Sequence, residues 1–182
     1  SHFIWDDFLE RNNNELVNNL GNLMNRILTF TFKKFKKVPK LNNLSEIDNE
    51  FINQTNLMTN EYLDLMDDIK LRDGIKHLML LAKLGNRFMQ NRAPWVLFKE
   101  NKEECENVLH ILIHFLRHLT CLLSPFLPNF TIEIEKILGQ ECKVIKKELE
   151  LNTFSEATLI KPKILFKKIT EEQLEEFKGR FN

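Results

Sequence analysis

Glycine and proline are scarce, five of each in 182 residues. With so few glycines the chain can hardly build phosphate-cradling loops, and no GxGxxG, P-loop or GxSxG segment occurs. Cysteine is limited to Cys105, Cys121 and Cys142, an odd number without CxxC spacing. Neither a disulfide framework nor a zinc site is expected from that pattern, and a reducing compartment fits best. No run approaches the roughly 18 to 20 apolar residues of a membrane span. The opening SHFIWDDF lacks the basic and apolar regions of a secretory signal, and its abrupt start inside an amphipathic pattern reads as a cut end. An excess of charge is missing too, with 26 basic residues against 26 acidic ones. A neutral total removes the simplest electrostatic argument for nucleic-acid binding. Any RNA role must then rest on local placement of charge and on base contacts more than on phosphate attraction.

What is present is helical patterning. Apolar residues make up 43% and charged residues 29%, the balance of a globular chain long enough for one domain with a real core. From Trp5 to about Phe35, steps of ~100° per residue gather Leu16, Val17, Leu20, Leu23, Met24, Ile27 and Phe30 on one arc. The run KKFKK and Pro39 close that helix. Ser45 is a plausible N-cap for a second helix over about Glu46 to Asp68. A third covers about Lys70 to Gln90 and stops before NRAPW, where Pro94 disfavours helix at Ala93. A fourth spans about Lys102 to Leu123. Ser124 as cap and Pro125 in the first turn suit a fifth helix ending near Leu138, before Gly139. Beyond it the periodicity fades: residues 142–166 read as irregular or short strands, with KILFKKI extended, and residues 171–181 as a short terminal helix. The expectation is an all-α bundle of about five helices in a single domain over 1–182, with 1–139 the bundle and 140–182 a segment that packs back on it.

His110, His114 and His118 are spaced four apart, as metal ligands can be. Helical stepping puts them opposite the apolar face of Leu109, Leu112, Ile113, Leu116 and Leu119, so they are expected on a solvated face, and no metal is expected. The acidic pairs Asp6-Asp7, Asp67-Asp68 and Glu103-Glu104 read as caps or solvated charge, and no catalytic residue is assigned. More informative are Asn18, Asn22 and Arg26, at i, i+4 and i+8 and so displaced only ~40° per step around the helix. Asn offers a donor and an acceptor, and Arg a planar fork of donors, which suits the edges of unstacked bases. Trp95, in NRAPW, is either a stacking platform or a core residue. The residues alone reach a helical bundle with a candidate base-reading ridge.

The segment WDDFLERNNNELVNNLGNLMNRILTF resembles the opening helix of the anticodon-binding domain of methionyl-tRNA synthetases, above all the eukaryotic cytoplasmic form, with its ELxNNLGNxxNR pattern. IKLRDGIKHLMLLAKLGNRFMQNRAPW is similar to that family's Arg-Asp helix, Gly-Asn segment and Pro-Trp element. LLSPFLPNFTIEIEKIL and KPKILFKKI resemble its Pro-containing helix junction and its Leu-Phe tail. These motifs occur in order over essentially the whole chain.

The resemblance implies that Trp95 stacks on an anticodon base while Asn18, Asn22 and Arg26 hydrogen-bond the CAU anticodon. Asn14, Asn19, Asn86 and Arg87 are further candidate tRNA contacts. The family's HIGH-like and KMSKS-like signatures and its zinc insertion do not occur here. The chain itself is then expected to hold no cofactor, while a parent enzyme would use ATP and Mg to join methionine to tRNA(Met) in the cytoplasm. Implied partners are the tRNA(Met) anticodon stem-loop, the catalytic domain of the same chain, and other synthetases or scaffold proteins, with no membrane. The competing expectations are an anticodon domain for another amino acid and a protein-binding helical scaffold.

Overall fold

The computed structural model describes the backbone of residues 2–161 and the side chains of residues 19–161. Six helices stand among them: α1 (His2–Phe35), α2 (Glu46–Asp67), α3 (Leu71–Arg92), α4 (Pro94–Glu100), α5 (Lys102–Leu123) and α6 (Pro128–Leu138). The fold is an all-α bundle; among the described residues β-pairing is limited to one isolated bridge, Lys37 to Thr158. No helix among them is long and apolar enough to cross a membrane.

Local chemistry sets the boundaries. At the start of α2 the Ser45 hydroxyl accepts the Asp48 N–H at 3.2 Å, and the Asp48 carboxylate accepts the Ser45 N–H at 3.0 Å, a reciprocal capping box. Asn101 accepts the Glu104 N–H at 3.2 Å and so caps α5. Gly139 closes α6 with φ 66, a left-handed position that glycine adopts without steric cost.

One expectation about proline needs correction. Helix α6 starts at Pro128, not Pro125. Ser124 serves the end of α5 instead, donating its hydroxyl to the Cys121 carbonyl at 2.7 Å. Pro94 does break the helix as expected, with α3 ending at Arg92. It opens the seven-residue α4, where its lack of an N–H is harmless, after Ala93 alone takes a left-handed conformation at φ 45.

Helix α5 is the centre of the bundle. Its residues from Val108 to Leu116 are all buried, as are His118 to Leu123. A helix covered all round needs neighbours on every side. The apolar side meets Leu23 and Ile27 of α1, Leu78 and Leu81 of α3, and Ile134 and Ile137 of α6 within one cluster. Each such fully buried side chain stabilises by about 1.5–3 kcal/mol. The Phe51 and Phe88 rings stack at 4.0 Å between α2 and α3.

The three histidines are buried, contrary to the solvated face expected, with 0%, 2% and 7% exposure at His110, His114 and His118. Segments without regular structure cover His110 and His114, and α2 supplies the partner of His118. Residues 140–161 run back across α5 and must satisfy their backbone groups through side chains. His110 and His114 accept the N–H groups of Asn152 and Thr153. Their Nδ1–H groups donate to the carbonyls of Pro39 and His110. Both ring nitrogens of each are thereby committed to the fold. His118 donates from Nε2 to Thr59, whose own hydroxyl donates to Thr55.

The same strap returns to the end of α1, where Val38 and Ala157, and Lys36 and Leu159, pair their backbones, and Lys37 forms an ion pair with Glu156. Its near end is covalently fixed. Cys121 and Cys142, expected as free thiols, form a disulfide with 5.5 Å between Cα atoms. No local spacing motif signals it, because the return of the chain after α6 is what brings the two together. Cys105 stays a thiol, buried, donating to the Pro94 carbonyl at 3.3 Å and pushed up to about 11 by burial. The expected extended KILFKKI and terminal helix lie outside the described residues.

Candidate nucleic-acid interface

Helix α1 lies against α3, and α4 follows directly from α3, so one surface collects residues from all three. Asn22 and Arg26 stand on the outer side of α1; Asn22 is exposed and Arg26 half-buried. Arg26 Nη2 donates to Gln90 Oε1 of α3 at 2.9 Å. Its Cζ sits 5.5 Å from the centre of the Trp95 ring. Trp95 is half-buried: part of the indole packs on the core and part stays open. The sequence left platform and core as alternatives, and the indole is neither fully buried nor fully exposed.

Of the other candidates, Asn86 donates to the Asn19 carbonyl at 3.0 Å and so fastens α3 to α1. The Asn19 amide nitrogen is buried without a hydrogen-bond partner among the described residues. Arg87, one residue beyond Asn86, lines a cleft of about 270 Å³ between α2 and α3 with Glu50, Gln54 and Asn91, away from the Arg26–Trp95 pair. The Asn14 and Asn18 side chains lie outside the described residues, though both positions belong to α1.

Sequence reasoning missed two features. One is Gln90, four residues after Asn86 on the edge of α3 that meets α1, where only the packing of the two helices brings it to Arg26. The other is the meeting of two lysines, from α1 and α5, on one ring of α4. Lys34 Nζ lies 4.7 Å and Lys102 Nζ 5.7 Å from the ring of Phe98, three residues after Trp95 on α4. Phe30 and Phe35 of α1 meet the same ring edge-on. An arginine fork, an amide, a partly open indole and nearby ammonium groups together suit an unstacked base with its phosphate.

A family model described as the anticodon binding domain of methionyl tRNA ligase matches residues 38–182. The chain belongs to this family. The membership read from the NNLGN…NR and APW motifs is thereby established. A probable cytoplasmic methionine–tRNA ligase of Dictyostelium discoideum is 35% identical over all of this chain and 25% of its own length. A methionine–tRNA ligase of Pyrococcus abyssi is 35% identical over 96% of this chain and 24% of its own length. The chain thus spans about a quarter of these relatives. A solved Mycobacterium tuberculosis methionyl-tRNA synthetase bound by methionyl-adenylate superimposes on 87% of this anticodon-binding domain, and on 32% of its own chain, with TM-score 0.74 and 22% identity. That likeness concerns the fold.

Proposed function

We propose that this chain reads the CAU anticodon of tRNA(Met) for a methionine–tRNA ligase whose catalytic part lies elsewhere in the parent protein. The observation that carries the reading is Arg26 held over the partly open ring of Trp95 at the α1–α4 boundary. Trp95 offers a face for a base, worth about 1–3 kcal/mol per stacked base. Arg26 and Asn22, with Asn18 a turn before them, offer hydrogen bonds to base edges. Asn14, Asn19, Asn86 and Arg87 are lesser contacts, Asn86 acting chiefly by fixing α3 to α1.

The parent enzyme activates methionine with ATP and Mg and passes it to the tRNA, and it works in the cytoplasm. The chain forms one domain over residues 1–182. Its protein partners are the catalytic domain of the same chain and other synthetases or scaffold proteins.

Titration with anticodon stem-loops decides the reading. A CAU loop should bind more tightly than single-base variants, with each wrong base costing about 1–3 kcal/mol. Equal affinity for every loop would mean that no base is read. The isolated chain should show no methionine-dependent ATP–pyrophosphate exchange, and exchange above blank would overturn the division of roles.

A further inference from the structure

Gln90 is left without a role by this reading, yet it hydrogen-bonds Arg26 directly. Its Oε1 accepts the Arg26 Nη2–H at 2.9 Å across the α1–α3 boundary. The guanidinium is therefore fixed at two points, with one edge on the Gln90 carbonyl and its carbon 5.5 Å from the centre of the Trp95 ring.

Gln90 is exposed, so its bond to Arg26 is not a requirement of the core. Buried side chains of α1 and α3 already share one cluster, and Asn86 ties the two backbones. What the bond does is remove freedom from a long side chain. A free arginine samples many rotamers, and ordering it on binding weakens the complex. The planar fork carries five N–H donors, and one edge held by a neighbour leaves the others available in a set direction.

We propose that Gln90 is the positioning residue of the base-reading site, orienting the Arg26 guanidinium before RNA arrives. This rests on the assignment of Arg26 as a base contact. A neutral amide is the chemistry required. It accepts from Arg26 without neutralising it, whereas a carboxylate would pair with the guanidinium and repel phosphate.

The test uses the 182-residue chain with a CAU stem-loop and single-base variants. Gln90→Met keeps the volume and removes the acceptor. It should weaken cognate binding roughly three- to tenfold and flatten discrimination among loops. In an Arg26→Ala background the same change should add nothing further. Gln90→Glu should retain discrimination while lowering affinity for all loops alike.

Nitrogen-15 NMR of the RNA-free chain gives a readout independent of RNA. Rotation about the Arg26 Nε–Cζ bond should be slow in the wild type and fast in Gln90→Met. Unchanged rotation, or an equal binding loss with and without Arg26, overturns the positioning role. Slow rotation in a wild type that prefers no loop would show the Gln90 bond intact but the anticodon reading wrong, and the positioning role would fall with it.

Discussion

His110 Nε2 accepts the backbone N–H of Asn152 at 3.1 Å, and one turn along α5 His114 does the same for Thr153 at 3.2 Å. A second proton on either ring would face an N–H where a lone pair is needed. Burial first, then repulsion between two protonated rings at His110 and His114 and the charge of Arg117, hold His114 down to about 3 against its bond to the His110 carbonyl; burial and Arg117 hold His118 down to about 4. Burial lowers His110 as well, against its bond to Pro39.

All three histidines are thus depressed below their ordinary 6.5, so the unfolded chain takes up protons first. Stability should be full above that value and fall as pH drops below it toward the folded values. The slope is up to about 1.4 kcal/mol per pH unit for each histidine. Urea unfolding between about pH 7 and pH 5, above most carboxylate titration, should show the loss, and His114→Gln should flatten it. Stability constant over that range would mean the rings accept protons in the folded state.

The Cys121–Cys142 disulfide closes a loop with a sequence separation of 21 at the point where the strap leaves α6. Loop closure of that length corresponds to about 3 kcal/mol. Reduction, or Cys142→Ser, should lower the melting temperature and open residues 142–150 to protease before the helices. Identical melts with and without reductant would show that the histidine and α1 contacts hold the strap unaided.

Two helical glycines should respond in opposite directions to alanine. A Cβ at Gly85 would press into the Phe115 ring and meet Leu23 Cδ2 at 3.1 Å, whereas at Gly21 it would meet nothing within 4 Å. Gly85→Ala should cost about 1–3 kcal/mol through overpacking in spite of better helix propensity. Gly21→Ala should gain about 1 kcal/mol. Chemical unfolding of both variants checks the pair. A gain at Gly85 would mean that the α3–α5 contact has slack.

The 3.6-residue period made α1, α2, α3 and α5 legible, and the Ser45 cap and Gly139 stop were readable from residue type. Periodicity reports which face of a helix is apolar, however, and not what covers the other face. The histidines of α5 were therefore misplaced, because His110 and His114 are covered by a strap with no period of its own and His118 meets Thr59 of α2 only through helix packing. α4 escaped notice because seven residues make barely two turns. SPFLP offers two prolines as helix starts, and the hydroxyl of Ser124 is taken by α5. The Asn22–Arg26 ridge could be read from spacing along one helix. Gln90 could not, since it reaches Arg26 only through the packing of α3 on α1.

Trp95 belongs to both the core and the surface, and its variants should separate the two roles. Part of the indole packs on the buried cluster, while Arg26 sits 5.5 Å from its centre. Full truncation of a core aromatic costs about 3–5 kcal/mol, so Trp95→Ala at a half-buried site should cost clearly less, about 1–2 kcal/mol. Its binding loss should be as large or larger, because it removes a stacking face worth about 1–3 kcal/mol per base. Trp95→Leu keeps apolar volume against the core but presents no flat ring. It should melt close to the wild type and bind CAU stem-loops nearly as poorly as Trp95→Ala. Trp95→Phe retains a smaller face and should fall between. Calorimetric melts and stem-loop titrations on the three variants give both axes. Should Trp95→Leu bind like the wild type, the ring does not stack on RNA, and Arg26 and its neighbours must read the anticodon without it.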